Sequence, residues 1–101
     1  MAITHVVVFS WTDKTSDEDV AKIHAALHQF IDADKGLEGL VSWKGGSDLH
    51  LAENNAHYGV SATFEDLTAY ERYRDHPEHR RIITELIVPH IAQRSVLQFE
   101  H

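Results

Sequence analysis

Apolar residues occupy both sides of a predicted strand at the start of the chain, the stretch "ITHVVVFSW" at residues 3–11. Successive side chains of a strand point to opposite faces. One face carries Ile3, His5, Val7, Phe9 and Trp11, and the other carries Thr4, Val6, Val8 and Ser10. Because both faces are largely apolar, the pattern predicts a strand that is covered on both sides.

A helix is predicted next, because apolar residues recur at helical spacing after a capping pattern. Ser16 is followed three residues later by Asp19, which resembles a capping box with a shorter acid. The apolar positions of this helix are Val20, Ile23, Leu27, Phe30 and Ile31. We expect the helix to end near Gly36.

Two more strands are predicted in the middle of the chain. The second strand covers Leu40 to Lys44 and is closed by a turn at Gly45 and Gly46. The polar run to Asn55 predicts a loop. The third strand is "HYGVSATFE" at residues 57–65, with Tyr58, Val60, Ala62 and Phe64 on one side and small residues on the other.

The last part of the chain predicts two helical segments and a final strand. The first segment runs from about Asp66 to Asp75, and the second ends near Val88. A break is expected at His76 and Pro77, because proline suits a first helical position and disfavours the α region for the residue before it. The stretch "IAQRSVLQFE" at residues 91–100 predicts the fourth strand.

The order βαββαβ is typical of the α+β class with a ferredoxin-like fold, a four-stranded antiparallel sheet with helices on one face. We expect one domain over residues 1–101. Helices on one face leave the second apolar face of the first strand uncovered. A second copy of the chain would cover it, with two sheets forming a dimeric α/β barrel. The alternative is a monomer in which the loop at 45–56 covers this face.

Composition limits the partners. The chain has 9 Lys and Arg against 16 Asp and Glu, a formal net charge of -7, and no basic run. This balance argues against nucleic acid and anionic membrane surfaces as partners. There is no cysteine, and no long apolar segment or signal-like start is evident. We therefore expect a cytoplasmic homodimer without disulfides or thiolate metal sites.

One histidine has an unusual place in the second helical segment of the 66–88 region. On a helical wheel, His79 falls between Leu86 and Ile83, in the middle of the apolar stripe. An imidazole that points inward needs a hydrogen-bond partner. It is either a core histidine bonded to a backbone carbonyl or a group that contacts a ligand. On the preceding segment, Tyr73 shares a face with Leu67 and Tyr70.

A second pair of histidines, His24 and His28, has the i, i+4 spacing that could place both on one metal ion. No carboxylate or third histidine stands at a fixed spacing from them. His28 falls on the polar flank of the helix, which favours a solvated histidine. No metal site and no cofactor are predicted.

The pattern Tyr-x-x-His-Pro-x-His at Tyr73, His76, Pro77 and His79 directly follows the strand end "TFE" at 63–65. With "THVVVFSW" at the start and "VLQFE" at the end, the chain resembles the stress-responsive dimeric α/β-barrel (Dabb) family over nearly its whole length. Within that family it is similar to the olivetolic acid cyclases of plants, which close a linear polyketide by an intramolecular aldol reaction. The family also contains stress-associated proteins without known chemistry.

The resemblance implies catalytic roles for His79, which takes a proton, and Tyr73, which donates a hydrogen bond to a developing oxyanion. If the His5 face of the first strand lines the barrel interior, it forms a mostly apolar pocket for a small hydrophobic or phenolic ligand. The predicted substrate-binding residues are His5, Val7, Phe9, Tyr58, Val60 and His76. Two alternatives stay open: a ligand-binding or stress-protective barrel without catalysis, and a cofactor-free monooxygenase of the wider superfamily.

Overall fold

A four-stranded antiparallel sheet with helices on one face forms the structure, a computed structural model that describes residues 1–33 and 37–101. In chain order the elements are β1 (Ile3–Trp11), α1 (Asp17–Ala33), β2 (Leu40–Ser47), β3 (Tyr58–Phe64), α2 (Leu67–Asp75), α3 (Pro77–Ile82) and β4 (Ile91–Glu100). The strand order in the sheet is β2-β3-β1-β4. The predicted ferredoxin-like βαββαβ fold is confirmed. The predicted end of the first helix near Gly36 lies outside the described residues.

Helix α1 begins with the predicted capping box. The backbone N–H of Asp19 donates to Oγ of Ser16 at 3.1 Å, and the backbone N–H of Ser16 donates to Oδ2 of Asp19 at 3.0 Å. Two donors that the first helical turn leaves without partners are thereby satisfied. Among the described residues, no helix is long and apolar enough to cross a membrane.

The break between α2 and α3 lies at the predicted position. His76 has a non-helical ψ of 130°, and its Nδ1 accepts the backbone N–H of Glu78 at 3.1 Å. Pro77 occupies the start of α3, where its missing N–H leaves no helical bond unmade. After α3 the chain continues as a π-helical turn over Ile83–Ile87 and a 3-10 turn over Val88–His90. The helical run therefore reaches the predicted end near Val88, although its α-helical part ends at Ile82.

The hydrophobic core lies between the helices and one face of the sheet. In the antiparallel ladder Val7 of β1 pairs with Val60 of β3, and Phe9 pairs with Tyr58, so these side chains project from the same face. The helices contribute Ile23, Leu27, Phe30, Ile82 and Ile87 to the same buried cluster.

Among the residues that the structure describes, no helix lies over the opposite face of the sheet. This face carries the even-numbered residues of β1 together with Leu97 and Phe99, which pair with Val6 and Thr4. Leu97 is 59% exposed and Phe99 is 46% exposed in the single chain. The loop after β2 does not cover these side chains. An apolar sheet face of this kind is the surface that a second copy would cover.

The prediction of a turn at Gly45 and Gly46 is wrong, because both glycines continue β2 and pair with Val60 and Gly59 of β3. Gly45 allows a close approach of an aromatic ring. A Cβ on Gly45 would lie 2.7 Å from Cη2 of Trp43, closer than real Cβ contacts. A pair of glycines is typical of a turn because glycine is flexible. In β2, glycine is needed at position 45 for another reason, because a side chain there would collide with the Trp43 ring.

This packing predicts that an alanine substitution destabilises the protein at Gly45 and has little effect on stability at Gly46. Gly45→Ala should destabilise the protein by about 1–3 kcal/mol through overpacking against Trp43, a loss of at least about 4 °C in Tm. Gly46→Ala is the control, because nothing lies within 4 Å of a Cβ placed there. Thermal melts followed by circular dichroism measure both. Equal Tm values for the two variants would contradict the packing argument.

Candidate functional site

A cavity of about 430 Å³ lies between the helices and the sheet. The sheet contributes His5, Val7, Phe9, Val60, Arg94, Val96 and Gln98, and the helical segments contribute Leu27, Tyr70, Tyr73, Arg74, His79, Arg80, Ile83, Thr84 and Ile87. The interpretation that the His5 face lines a space between two sheets is wrong, because this face is covered by the helices of the same chain. The cavity is thus lined by one chain, and the apolar face that carries Val6 and Val8 is on the other side of the sheet.

His79 stands beside this cavity with one ring nitrogen bonded to the backbone. Its Nδ1 lies 3.2 Å from the carbonyl oxygen of Arg74, which only accepts, so Nδ1 carries the proton and Nε2 keeps its lone pair. Burial lowers the pKa of His79 below its ordinary value of 6.5. The ring therefore bonds a backbone carbonyl, as the core-histidine interpretation predicts, and it also lines a cavity, so a role in contacting a ligand stays a prediction.

Tyr73 is buried next to His79, with the two ring centroids 4.4 Å apart. The indole N–H of Trp43 donates to the Tyr73 hydroxyl oxygen at 3.2 Å. No acceptor for the Tyr73 hydroxyl proton is present among the described residues, so this proton can be donated to a ligand. Burial raises the pKa of Tyr73 to about 12, which keeps the phenol neutral.

His5 forms the third polar side chain of the inner cavity. The side-chain amide N–H of Gln98 donates to Nδ1 of His5 at 2.9 Å, so the neutral ring carries its proton on Nε2. Burial, together with His79 and Arg94, lowers the pKa of His5 from 6.5 to about 4. The His5 ring centroid lies 6.3 Å from that of Tyr73. At neutral pH His5 is therefore an uncharged hydrogen-bond donor.

The three side chains provide one base and two donors around an apolar floor. Nε2 of His79 can accept a proton, while the Tyr73 hydroxyl and the His5 Nε2–H can each donate a hydrogen bond. Such a set is suited to proton transfer coupled to stabilisation of an oxyanion. Among the described residues, no group of three or more His, Cys, Asp or Glu could hold a metal ion.

The structure does not bring two of the predicted binding residues, Tyr58 and His76, into the cavity lining. Tyr58 is 1% exposed beneath α1, and its hydroxyl lies 2.6 Å from Nδ1 of His24. His76 caps α3, and its ring packs edge-on against Phe30 with centroids 5.0 Å apart. Both side chains support the helices around the cavity. The other predicted residues, His5, Val7, Phe9, Val60, Tyr73 and His79, all line it.

The expectation of a solvated His28 is wrong. His28 is half-buried, and its ring stands edge-on to Trp43 with centroids 5.0 Å apart. Its Nε2 is buried and has no hydrogen-bond partner within residues 1–33 and 37–101. The polar flank of α1 is covered here by a residue of β2, a contact that a helical wheel does not contain. Through Trp43, the α1 histidines are connected to the Tyr73 hydroxyl.

Sequence reasoning missed the outer wall and rim of the cavity. Val96, Gln98 and Arg94 come from β4, whose alternation is visible in the sequence but whose pairing with β1 is not. On the helical wheel Arg80 and Thr84 fall on the side opposite the apolar stripe, yet both reach the rim. The sequence feature that could have indicated this wall is the alternation of side chains along β4, which places Arg94, Val96 and Gln98 on one face of the strand.

The chain belongs to the Stress responsive A/B Barrel Domain (Dabb) family, whose model matches residues 3–101. This confirms the family resemblance drawn from the Tyr-x-x-His-Pro-x-His pattern. None of the curated proteins matches this chain.

Several solved structures share the whole fold. A dimeric ferredoxin-like protein of unknown function from Thermobifida fusca is 31% identical, with a TM-score of 0.89 over 100% of this chain and 92% of that chain. A Dabb family protein from Mesorhizobium loti is 22% identical, with a TM-score of 0.79 over 99% and 96%. A hydroxynitrile lyase from Passiflora edulis is 17% identical, with a TM-score of 0.79 over 97% and 91%. The dimeric relative supports a homodimer of this chain.

Proposed function

We propose that the protein is an acid–base catalyst that binds a small, largely apolar carbonyl compound in the cavity and abstracts a proton next to the carbonyl group. The observation that carries this proposal is the convergence of His79 and Tyr73 on one cavity, with complementary protonation. His79 offers a lone pair at Nε2, and Tyr73 offers a hydroxyl proton without an acceptor among the described residues.

The proposed step uses only these side chains. Nε2 of His79 removes the proton from the carbon between two carbonyl groups, and the electron pair of that C–H bond moves into the carbonyl group. The enolate oxygen then accepts hydrogen bonds from the Tyr73 hydroxyl and from Nε2–H of His5. Donors positioned for a developing oxyanion act more strongly in a site that excludes water.

Ring closure of a polyketide is the more specific form of this proposal. The enolate carbon would attack a second carbonyl of the same molecule, forming a C–C bond, and the imidazolium of His79 would return its proton to the new alkoxide. The resemblance to the olivetolic acid cyclases supports this form. A hydroxynitrile lyase on the same fold supports an enzymatic use of the fold, and at 17% identity it contributes nothing on the substrate.

The test is hydrogen exchange in a model β-dicarbonyl compound. The protein in D₂O should accelerate loss of the C2 proton signal of ethyl benzoylacetate, followed by ¹H NMR, above the rate in buffer with heat-denatured protein. Acceleration that saturates with substrate would support catalysis in the cavity. Ligand-induced shifts of cavity resonances without acceleration would instead favour a ligand-binding barrel without catalysis, and the proposed proton transfer would be wrong.

A further inference from the structure

Arg94 is a charged cavity residue that the proposed proton transfer does not use. It lies on β4 and pairs with Phe9 of β1. Directly paired residues of an antiparallel ladder project from the same face, so Arg94 lies on the helix side of the sheet and lines the cavity there. Val96 and Gln98 follow it along the same wall.

The charges around the cavity do not balance. Three arginines line it, whereas no Asp or Glu of the described residues does. Asp75, just outside, accepts hydrogen bonds from Arg74 at 2.9 Å and from Arg80 at 3.0 Å, and these bonds hold the pKa of Asp75 well below its ordinary range. Arg94 has neither an ion pair nor a hydrogen bond among the described residues. Because Glu71 also pairs with Arg74 at 3.7 Å, Arg94 is the cavity arginine that lacks an opposite charge among the described residues. Its side chain is exposed at the cavity in the single chain, whose net charge is -7.

We propose that Arg94 binds a carboxylate of the ligand, whose apolar part fills the cavity. This inference rests on the proposed ligand-binding function and narrows its substrate class to carboxylic acids. The planar guanidinium can donate two parallel hydrogen bonds to a carboxylate, and its single charge matches a monoanion. The floor of Val7, Phe9 and Ile87 is apolar, and the volume of about 430 Å³ lies within the range of small-molecule sites.

The two histidines of the cavity do not supply a positive charge for the carboxylate near neutral pH. Burial lowers the pKa of His5 and of His79 below the ordinary value of 6.5, so both rings are uncharged there. Arg94 itself contributes to the lowered pKa of His5, which places its charge within electrostatic reach of the inner cavity. An acid bound at Arg94 would place its apolar part in the cavity that His5, Tyr73 and His79 also line.

The test compares 2-naphthoate with 2-naphthamide, which share a ring system and differ in charge. Calorimetric titration at neutral pH and low ionic strength should show naphthoate binding on the order of tenfold more tightly, the lower end for a hydrogen bond to a charged group. Arg94→Gln should abolish this preference. Arg81→Gln is the matched control, since Arg81 pairs with Glu78 outside the cavity lining and its loss changes net charge equally.

Three results would overturn the carboxylate assignment alone: equal binding of the two probes, a preference that survives in Arg94→Gln, or tighter binding of 2-naphthyl phosphate than of naphthoate. If neither naphthoate nor naphthamide binds at millimolar concentration, the assignment and the proposed ligand-binding function both fail. Failure of hydrogen exchange with an intact naphthoate preference overturns the proposed catalysis and supports the anion site. The two proposals can thus be distinguished.

Discussion

Replacing His79 with alanine is expected to reduce the protein-catalysed exchange of the C2 proton of ethyl benzoylacetate by at least about 100-fold. A positioned general base contributes roughly 10²- to 10⁴-fold to a rate, and the alanine variant has no group at this place that can accept the proton. The dimer mass and Tm should change little, because the ring is half-buried at the edge of a cavity. ¹H NMR measures the exchange rate, and circular dichroism measures Tm.

Two further variants separate catalysis from packing. His79→Asn retains an amide N–H that can donate to the Arg74 carbonyl, but it has no basic nitrogen, so it should fold and remain as inactive as the alanine variant. His90→Ala is the control at another half-buried histidine, one that lies near Thr15 and outside the cavity lining. An asparagine variant with native exchange rates would show that His79 is not the base.

The pH profile follows from the direction of the His79 pKa. The neutral ring is the active form, and burial holds the pKa of His79 below 6.5. Activity should therefore be constant above about pH 7 and should fall as pH decreases through the lowered pKa, because the ring then becomes protonated. Tyr73, with a pKa of about 12, should add no decline in the weakly alkaline range. Exchange rates across this pH range, corrected for the buffer reaction, measure the profile.

Leu97→Asp is expected to convert the native dimer into a monomer at micromolar concentration. Leu97 lies on the sheet face without helices, and in a dimer that buries this face an unpaired carboxylate would be left without water or a cation. Sedimentation equilibrium or light scattering measures the mass. A small domain buries a modest fraction of its surface, so the monomer should also melt at a lower temperature.

The control for this substitution is Leu67→Asp. Leu67 is 57% exposed and Leu97 is 59% exposed, so both substitutions exchange an exposed leucine for a charge, but Leu67 lies at the start of α2. This variant should remain dimeric. If native protein has the mass of a monomer, or if both variants dissociate alike, the sheet face is not the interface.

The positions at which helices begin and break could be predicted from the sequence, because they depend on interactions between residues that are close together in the chain. The box of Ser16 and Asp19 and the break before Pro77 are local hydrogen-bonding and steric effects, and the structure confirms both. The inward direction of His79 followed from the spacing of apolar residues in its own helix. In the same way, the order of strands and helices was sufficient to indicate the ferredoxin-like fold.

The errors concern contacts between distant segments. Glycine is required at position 45 because the Trp43 ring lies close to it. His28 of α1 is buried because the same Trp43 ring, which belongs to β2, packs against it. Tyr58 was assigned to a pocket because the family resemblance implies a pocket residue at its position in the third strand, yet α1 covers that end of the sheet. Alternation along a strand separates its two faces, but it does not tell which face the helices will cover.

Because side chains alternate along the nine residues of β1, the positions that shape the cavity are separate from the positions on the other face of the sheet. Odd-numbered positions such as His5 and Val7 face the cavity, whereas even-numbered positions such as Val6 and Val8 face away from the helices. A substitution at an odd position can change the shape or chemistry of the cavity while the surface available for assembly keeps its side chains. A change of ligand at the odd positions therefore does not require any change of the face that a second copy would cover.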